Sequence, residues 1–300
     1  MSINLDGFEP KAPETLDSSM IGTYLSCPQK FYLEYILGLK PKGEKVALTF
    51  GTLWHDVMEL METSGVGDAV ELIESNIATF SIHDQKNRTA QRMKEDLAAY
   101  MIKYTNEDKL LETLALEQAF DLELPNGIRY CGRMDKVEKN KTSKKVGVRD
   151  YKTTTFFTKN YFDNHELGIQ IKGYIWALQQ LMPADEVDHA VLDVYHILKN
   201  ETKWYRRTFN YRPALIQEWL VNICMIADEI MNLVANHLHE PEYWYLNAGQ
   251  RCSDYGGCQF LLVHQLPPER GNRERLLAHE FEIRRWDPVT HGQDPNKPEG

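Results

Sequence analysis

No apolar run in these 300 residues approaches the ~20 that span a bilayer. The opening MSINLDGFEPKAPETLDSS also lacks a basic n-region and an apolar h-region. Both absences predict a cytoplasmic protein with no membrane partner, in which the five cysteines stay reduced or bind metal. Positive charge is not in excess either: 34 Lys and Arg face 44 Asp and Glu, a net charge of −10. That excludes a protein gripping nucleic acid over its entire surface and leaves scope for a local basic groove. There is no phosphate-binding loop of the G-x4-G-K-S/T type, so any strand separation must come from another protein. An internal repeat and a long linker are both missing, which predicts a single domain.

What is present is an ordinary globular composition, 42% hydrophobic and 26% charged, on a chain long enough to bury roughly three quarters of its unfolded surface. After a polar leader, residues 1–17, Ser18 or Ser19 can cap a helix with apolar positions at Met20, Ile21, Tyr24 and Leu25. Cys27-Pro28 interrupts it, and KFYLEYILGL continues as a second helical piece to Gly38. LTFGTLWHDVMELME reads as a turn feeding a helix from Thr52, with His55 in its first turn. Residues 68–80 and 85–113 read as further helices, a helical insertion over about 56–113. The period then changes: LEQAFDLEL, IRYCGRMDKV and VGVRDYKTT alternate as strands, joined by PNG and by a lysine-rich turn. A helix over 165–181, strands around AVLDVYHIL and WYRRTFNY, and a helix over 213–237 complete a mixed α/β pattern. From 266 to 300 the chain reads as a polar tail.

The chemistry concentrates on VGVRDYKTTT, residues 146–155. In a strand, Asp150 and Lys152 share a face with Val146 and Val148. A turn centred between Thr142 and Ser143 pairs residues equidistant from it, so Asp135 opposes Asp150 and Val137 opposes Val148. Opposed carboxylates within about 5 Å repel unless a cation sits between them. Oxygen ligands suit Mg2+ or Mn2+, which can activate water against a phosphodiester. Lys152 is placed to orient that water or to stabilise the developing charge. Two basic segments, KVEKNKTSKK (136–145) and KNETKWYRRTFNYR (199–212), are candidates for binding nucleic acid. The second suits a single strand, with Arg206 and Arg207 neutralising phosphate and the aromatics stacking bases; hairpins with solvated faces look similar.

The order LSCPQKFYLEYILGL, FGTLWHDVMELME, GRMDKV, VRDYKT and QIKGYIWAL, over residues 18–264, resembles the PD-(D/E)XK nucleases of the RecB-like branch, which includes AddB and the CRISPR-associated RecB-like exonucleases. The resemblance implies that His55, Asp135 and Asp150 hold the metal and that Asp135, Asp150 and Lys152 form the catalytic set. Gln170 and Tyr174 match the family's Q-x3-Y pair, which would hold DNA from one helical face. Glu117 falls where the family often carries a related acidic residue, and an exposed Glu is the competing reading. An imidazole ligand tilts the preference toward manganese. The resemblance further implies a [4Fe-4S] cluster on Cys27, Cys252 and Cys258, with His264 standing where the family has its last cysteine. A zinc site on the same ligands is the alternative. Cys131 and Cys224 read as buried thiols.

The expectation is therefore an α/β fold with a mixed central sheet flanked by helices. A single nuclease domain over 18–265 would carry an N-terminal helical portion and a cysteine staple over 252–264. Its expected function is that of a metal-dependent DNA exonuclease of recombination, repair or phage-type DNA processing, acting on single-stranded ends beside a helicase or recombinase partner. A binding or assembly protein that keeps the nuclease fold, its activity gated by a partner, is the other reading; the intact Asp135, Asp150 and Lys152 speak against a degenerate site.

Overall fold

A computed structural model describes residues 8–42, 46–77, 88–247, 252, 257–267 and 271–286. Its elements run in the order α1 (Ser18–Ser26), α2 (Pro28–Phe31), a π-helical turn (Tyr32–Ile36), β1 (Leu39–Pro41), α3 (Val46–Thr63), α4 (Val66–Ser75), α5 (Ala90–Asp108), β2 (Leu111–Glu123), β3 (Arg129–Asn140) and β4 (Val146–Thr154). Then follow α6 (Tyr161–Leu167), α7 (Ile169–Leu181), β5 (Val187–Ile197), β6 (Thr202–Asn210), α8 (Pro213–His237), α9 (Leu261–Gln265), α10 (Asn272–Glu280) and β7 (Phe281–Ile283). The chain divides into two compact units, one of residues 44–119 and 133–219, the other of residues 1–43, 120–132 and 220–300.

The larger sheet has five strands in the order β2-β3-β4-β5-β6. β3 and β4 are antiparallel in the register the turn predicts, with Val137 opposite Val148 and Lys136 opposite Arg149. β4 and β5 are parallel, and β5 and β6 antiparallel. A parallel step needs a crossover, which the chain makes through α6 and α7, with α7 packed on β4 and β5. The single helix expected over 165–181 is two helices, broken at Gly168, whose backbone is extended (φ −63, ψ 166). In the same unit, α3, α4 and α5 supply Phe50, Trp54, Ile73, Met93, Leu97 and Tyr100 to a core shared with Tyr151, Tyr195 and Trp204 of the strands. Burying side chains of this size stabilises by about 1.5–3 kcal/mol each. The helix expected over 85–113 ends at Asp108, because β2 already begins at Leu111; residues 78–87 lie outside the described residues.

In the other unit, Asp17 rather than Ser18 or Ser19 caps α1. Its carboxylate accepts the Met20 N–H at 2.7 Å, and an ionised acceptor is stronger there than a hydroxyl. Cys27 is extended (φ −164, ψ 107) and Pro28 opens α2, the position where its missing N–H costs nothing. Phe31 stacks on Trp244 with centroids 5.7 Å apart, and the Tyr24 hydroxyl donates to Glu229 at 2.6 Å. The tail expected from residue 266 instead contains α10 and β7. Leu277 and Phe281 are buried, Phe281 stacks on Phe260 at 4.9 Å, and β7 pairs antiparallel with β1. The local signal is a few apolar residues, Leu276, Leu277, Phe281 and Ile283, inside a charged stretch; residues 287–300 lie outside the described residues. Among the described residues no helix is long and apolar enough to cross a membrane.

Candidate metal centre

Helix α3 begins at Val46 rather than Thr52, so His55 lies in its third turn rather than its first. Gly51, which reads as a turn signal, is a point of close approach: a Cβ there would meet Thr153 Oγ1 of β4 at 3.3 Å. Phe50, Trp54 and Val57 bury one face of the helix, and His55 stays partly exposed beside them. Its Nδ1 lies 3.2 Å from Asp135 Oδ2. The same oxygen accepts the Tyr151 N–H at 2.7 Å, so a side chain of β3 is tied to the backbone of β4. Glu117 enters from β2 with φ +46, a left-handed conformation that costs a residue with a Cβ on the order of 1 kcal/mol or more. One donor atom from each of His55, Glu117 and Asp135 lies within 4.8 Å of the others.

Asp150 and Lys152 adjoin this group. Asp150 is only 1% exposed, with Lys152 Nζ 2.8 Å from its Oδ1 and 2.7 Å from its Oδ2. Oδ2 nevertheless lacks an aligned hydrogen bond. Burial pushes the Asp150 carboxyl up against the pull of Lys152. Burial would lower the Lys152 ammonium, but Asp150 and Asp135 raise it above its ordinary value. Burial likewise disfavours the His55 imidazolium, and Asp135 more than restores it. The Asp135 carboxyl, raised by burial, is brought below its usual range by His55. Glu117 is different: burial and the Asp135 charge push its carboxyl up to about 7, and His55 offsets them only in part.

These donors fit a divalent cation. An imidazole and two carboxylates converge, and a third, buried carboxylate adjoins them with one oxygen lacking an aligned hydrogen bond. The Glu117 carboxyl, raised by burial and by the Asp135 charge, carries a penalty on ionisation that a cation would relieve. Bound there, such an ion would polarise a phosphate oxygen and acidify a water. Among the described residues Asp150 is outside the three-donor group, its carboxylate engaged by Lys152.

Gln170 and Tyr174 meet on one face of α7, Gln170 Nε2 donating to the Tyr174 hydroxyl at 2.9 Å. Arg207 is exposed on β6 beside Asp163 at 3.1 Å and Glu166 at 3.4 Å. Arg206, expected on DNA phosphate, is placed elsewhere: its guanidinium is held internally by Asp193 at 2.6 Å and Asp108 at 2.7 Å. It joins a buried network in which Arg149 binds Glu138 at 2.9 Å and Asp193 at 2.7 Å. Strand alternation puts this network on the face of β4 away from Asp150. The cause is in the register: Asp193, a carboxylate inside the apolar run AVLDVYHIL, lies opposite Arg206, and a buried charge demands a partner.

In the other unit Cys27, Cys252 and Cys258 are free and half-buried, and the Cys258 N–H donates to Cys252 O at 2.8 Å. Burial raises the Cys258 thiol, against a backbone hydrogen bond from Phe260 and the Lys30 charge, with smaller increments from Cys252 and Cys27; among the described residues the three sulfurs do not form a close donor group of the kind made by His55, Glu117 and Asp135. Burial and the Arg273 charge lower the His264 imidazole. Cys131 is buried and Cys224 half-buried. The sequence pattern gave His165 no role. It stands on α6, where burial and the Lys152 charge lower its imidazole to about 4.

A mixed sheet whose hairpin carries two carboxylates and a lysine, met by an imidazole from a flanking helix, is the frame of a metal-dependent nuclease. The chain belongs to the PD-(D/E)XK nuclease superfamily, whose model matches residues 18–261. It is similar to a subunit of the ATP-dependent helicase/deoxyribonuclease of Streptococcus mutans, 26% identical over 251 residues that cover 77% of this chain and 23% of that protein. It is also similar to the like-named protein of Streptococcus agalactiae, 25% identical over 187 residues, 58% of this chain and 17% of that protein. The chain thus spans about a quarter or less of the length of these relatives. The crystal structure of SSO0001 matches 72% of this chain and 77% of that one at 11% identity and a TM-score of 0.29, too slight a likeness to bear on the fold.

Proposed function

We propose that this chain is a Mg2+- or Mn2+-dependent deoxyribonuclease that removes nucleotides from single-stranded ends in recombination or repair, alongside a helicase or recombinase. The observation that carries this reading is the convergence of His55, Glu117 and Asp135 next to the Asp150–Lys152 pair. The names of the similar proteins, helicase and deoxyribonuclease, support DNA as substrate and a helicase as partner. His55, Asp135 and Glu117 would hold the ion, with Asp150 as a further oxygen donor. Lys152, charged and within hydrogen-bond reach of Asp150, is the ammonium available to a phosphate oxygen as charge develops on it. The imidazole among the donors favours manganese over magnesium. Gln170 and Tyr174 are assigned to positioning DNA, and Arg207 to a phosphate.

In the other unit, Cys27, Cys252 and Cys258 are assigned to a [4Fe-4S] cluster, with zinc as the runner-up and His264 as the fourth ligand of either; the free, half-buried state of the three thiols supports the ligand set.

The decisive experiment is digestion of end-labelled single- and double-stranded DNA, linear and circular, with Mg2+ or Mn2+. Linear single strands should be shortened and circles spared. Lys152→Ala should abolish cleavage while folding and DNA binding persist. Undiminished cleavage by homogeneous Lys152→Ala protein would remove the assignment, and cleavage of circles would make the enzyme an endonuclease.

A further inference from the structure

Four rings form a continuous series on the sheet face that carries Lys152. Tyr205 lies face to face with Phe157, centroids 4.3 Å apart and planes 10° apart. Phe157 stacks on Tyr161 at 4.8 Å and 25°, and Tyr161 meets His165 at 4.8 Å and 49°. The series starts on β6, where Tyr205 shares a cross-strand row with Val194 and Lys152 and so lies on the sheet face that carries Lys152; it crosses the segment that follows β4 and finishes on α6. All four rings are half-buried rather than buried. Phe156, next to them, is 66% exposed and is fixed by Thr154, whose hydroxyl accepts the Phe156 N–H at 3.0 Å. Arg207 lies 5.6 Å from the Phe162 ring, and Phe162 stands edge-on to Phe157 at 5.5 Å.

The row is rooted in the core, with Phe157 also stacked on the buried His196 at 5.4 Å, but its own rings stay half-open. Core aromatics of the same unit, such as Trp54, Tyr100 and Tyr195, are at most 3% exposed. An ordered, half-open row of rings beside cations has the chemistry of a single-strand platform, where aromatic faces take bases and cations take phosphates. The inner ring is also uncharged at neutral pH. It therefore offers a π-face without adding a second cation beside Lys152.

We propose that His165 is a nucleobase-stacking residue: its ring, supported from behind by Tyr161, Phe157 and Tyr205, takes a base of the single DNA strand next to Lys152. The inference rests on the nuclease reading and adds to it how an unpaired strand is preferred, since a duplex keeps its base faces covered. The role requires a ring and not a titrating nitrogen.

The test measures binding in EDTA, so that no cleavage intervenes, by anisotropy of a labelled oligothymidylate, the same oligonucleotide with a run of abasic residues, and a blunt duplex. His165→Ala should weaken oligothymidylate binding about 10-fold, within the range of one lost base stack. His165→Phe should return it to within about 2-fold of the wild type. Neither substitution should change binding of the abasic strand or the duplex. Unchanged binding in His165→Ala overturns the proposal, as does a His165→Phe variant as weak as the alanine, or an equal loss on the abasic strand. Cleavage in Mn2+ is scored separately. Base-dependent binding without cleavage by the wild type would overturn the nuclease reading and keep the stacking role. Cleavage with base-independent binding would do the reverse, and no DNA binding at all would overturn both.

Discussion

Replacing Glu117 by Gln should stabilise the metal-free protein, and only on the alkaline side. Its carboxyl moves from an ordinary value of 4.5 to about 7 on folding, a preference for the protonated form of about 3 kcal/mol. Its side chain is 24% exposed, and solvent screening trims this to about 2–3 kcal/mol. The sign follows from which state loses its proton first. Below about pH 4.5 Glu117 is protonated in folded and unfolded chains alike and contributes nothing. Between 4.5 and 7 the unfolded chain ionises while the folded one does not, so stability falls as pH rises. Above 7 the full penalty is present. Glu117→Gln keeps the shape and removes the titration. In EDTA its melting temperature should match the wild type near pH 4.5 and exceed it by about 5 °C at pH 8, at roughly 2 °C per kcal/mol for a chain of this size. Saturating Mn2+ should reverse the order, because the wild type binds the ion more tightly and gains the larger linkage term. A difference in melting temperature that does not vary with pH, or a variant less stable than the wild type at pH 8 in EDTA, would refute the reasoning.

Because Asp135 keeps His55 protonated beyond its ordinary range and Glu117 is raised to about 7, Mn2+ must displace protons on binding. Calorimetry at pH 6.5 in two buffers of different ionisation enthalpy should count roughly one to two protons released per ion; none released would exclude this donor set. Arg206→Ala should cost about 3–5 kcal/mol by leaving Asp193 buried without one of its cations. Arg207→Ala should cost under about 0.5 kcal/mol and instead weaken single-stranded DNA binding and flatten its salt dependence; denaturant melts and salt titrations showing the reverse ordering would contradict the placement of both residues. Anaerobically purified protein should be brown, and Cys252→Ser should bleach it and lower its melting temperature. Stoichiometric zinc in colourless protein would put the runner-up in place of the cluster, and metal-free protein indifferent to Cys252→Ser would reject both.

What was legible in the sequence was whatever a short-range pattern encodes. The β3–β4 register followed from one turn, because alternation fixes every partner once the turn centre is known. Gly51 reads locally as a turn because glycine signals both a turn and a close approach, and only the position of Thr153 across the gap distinguishes them. Glu117 carried little local signal: it precedes Asp135 by a full strand and reaches the centre through a left-handed backbone that no pattern announces. Arg206 could have been found. Asp193 in the middle of AVLDVYHIL is a charge that cannot be buried alone, and the facing strand offers arginines as its counterions. His165 sits in the polar stretch DNHEL and becomes notable only when the chain brings Tyr161 and Lys152 to it.

Arg149 and Asp150 are neighbours on β4, each 1% exposed, and they face opposite sides of the sheet. Both charges therefore need compensation from the surrounding fold, and the two sides solve the problem differently. The Arg149 guanidinium is saturated: Nε and Nη2 donate to the two oxygens of Glu138 at 3.0 and 2.9 Å, and Nη1 donates to Asp193 at 2.7 Å. Such a network adds little net stability compared with an apolar core of the same volume. What it does is fix β3, β4, β5 and β6 against one another at hydrogen-bond distance. On the Asp150 side the charges are left incompletely matched, with one carboxylate oxygen lacking an aligned hydrogen bond and Glu117 raised toward neutrality. The saturated face holds the strand rigid, so the unsaturated face cannot relax by moving it. A cation bound there would remove the mismatch, and its binding free energy would add to the stability of the folded chain.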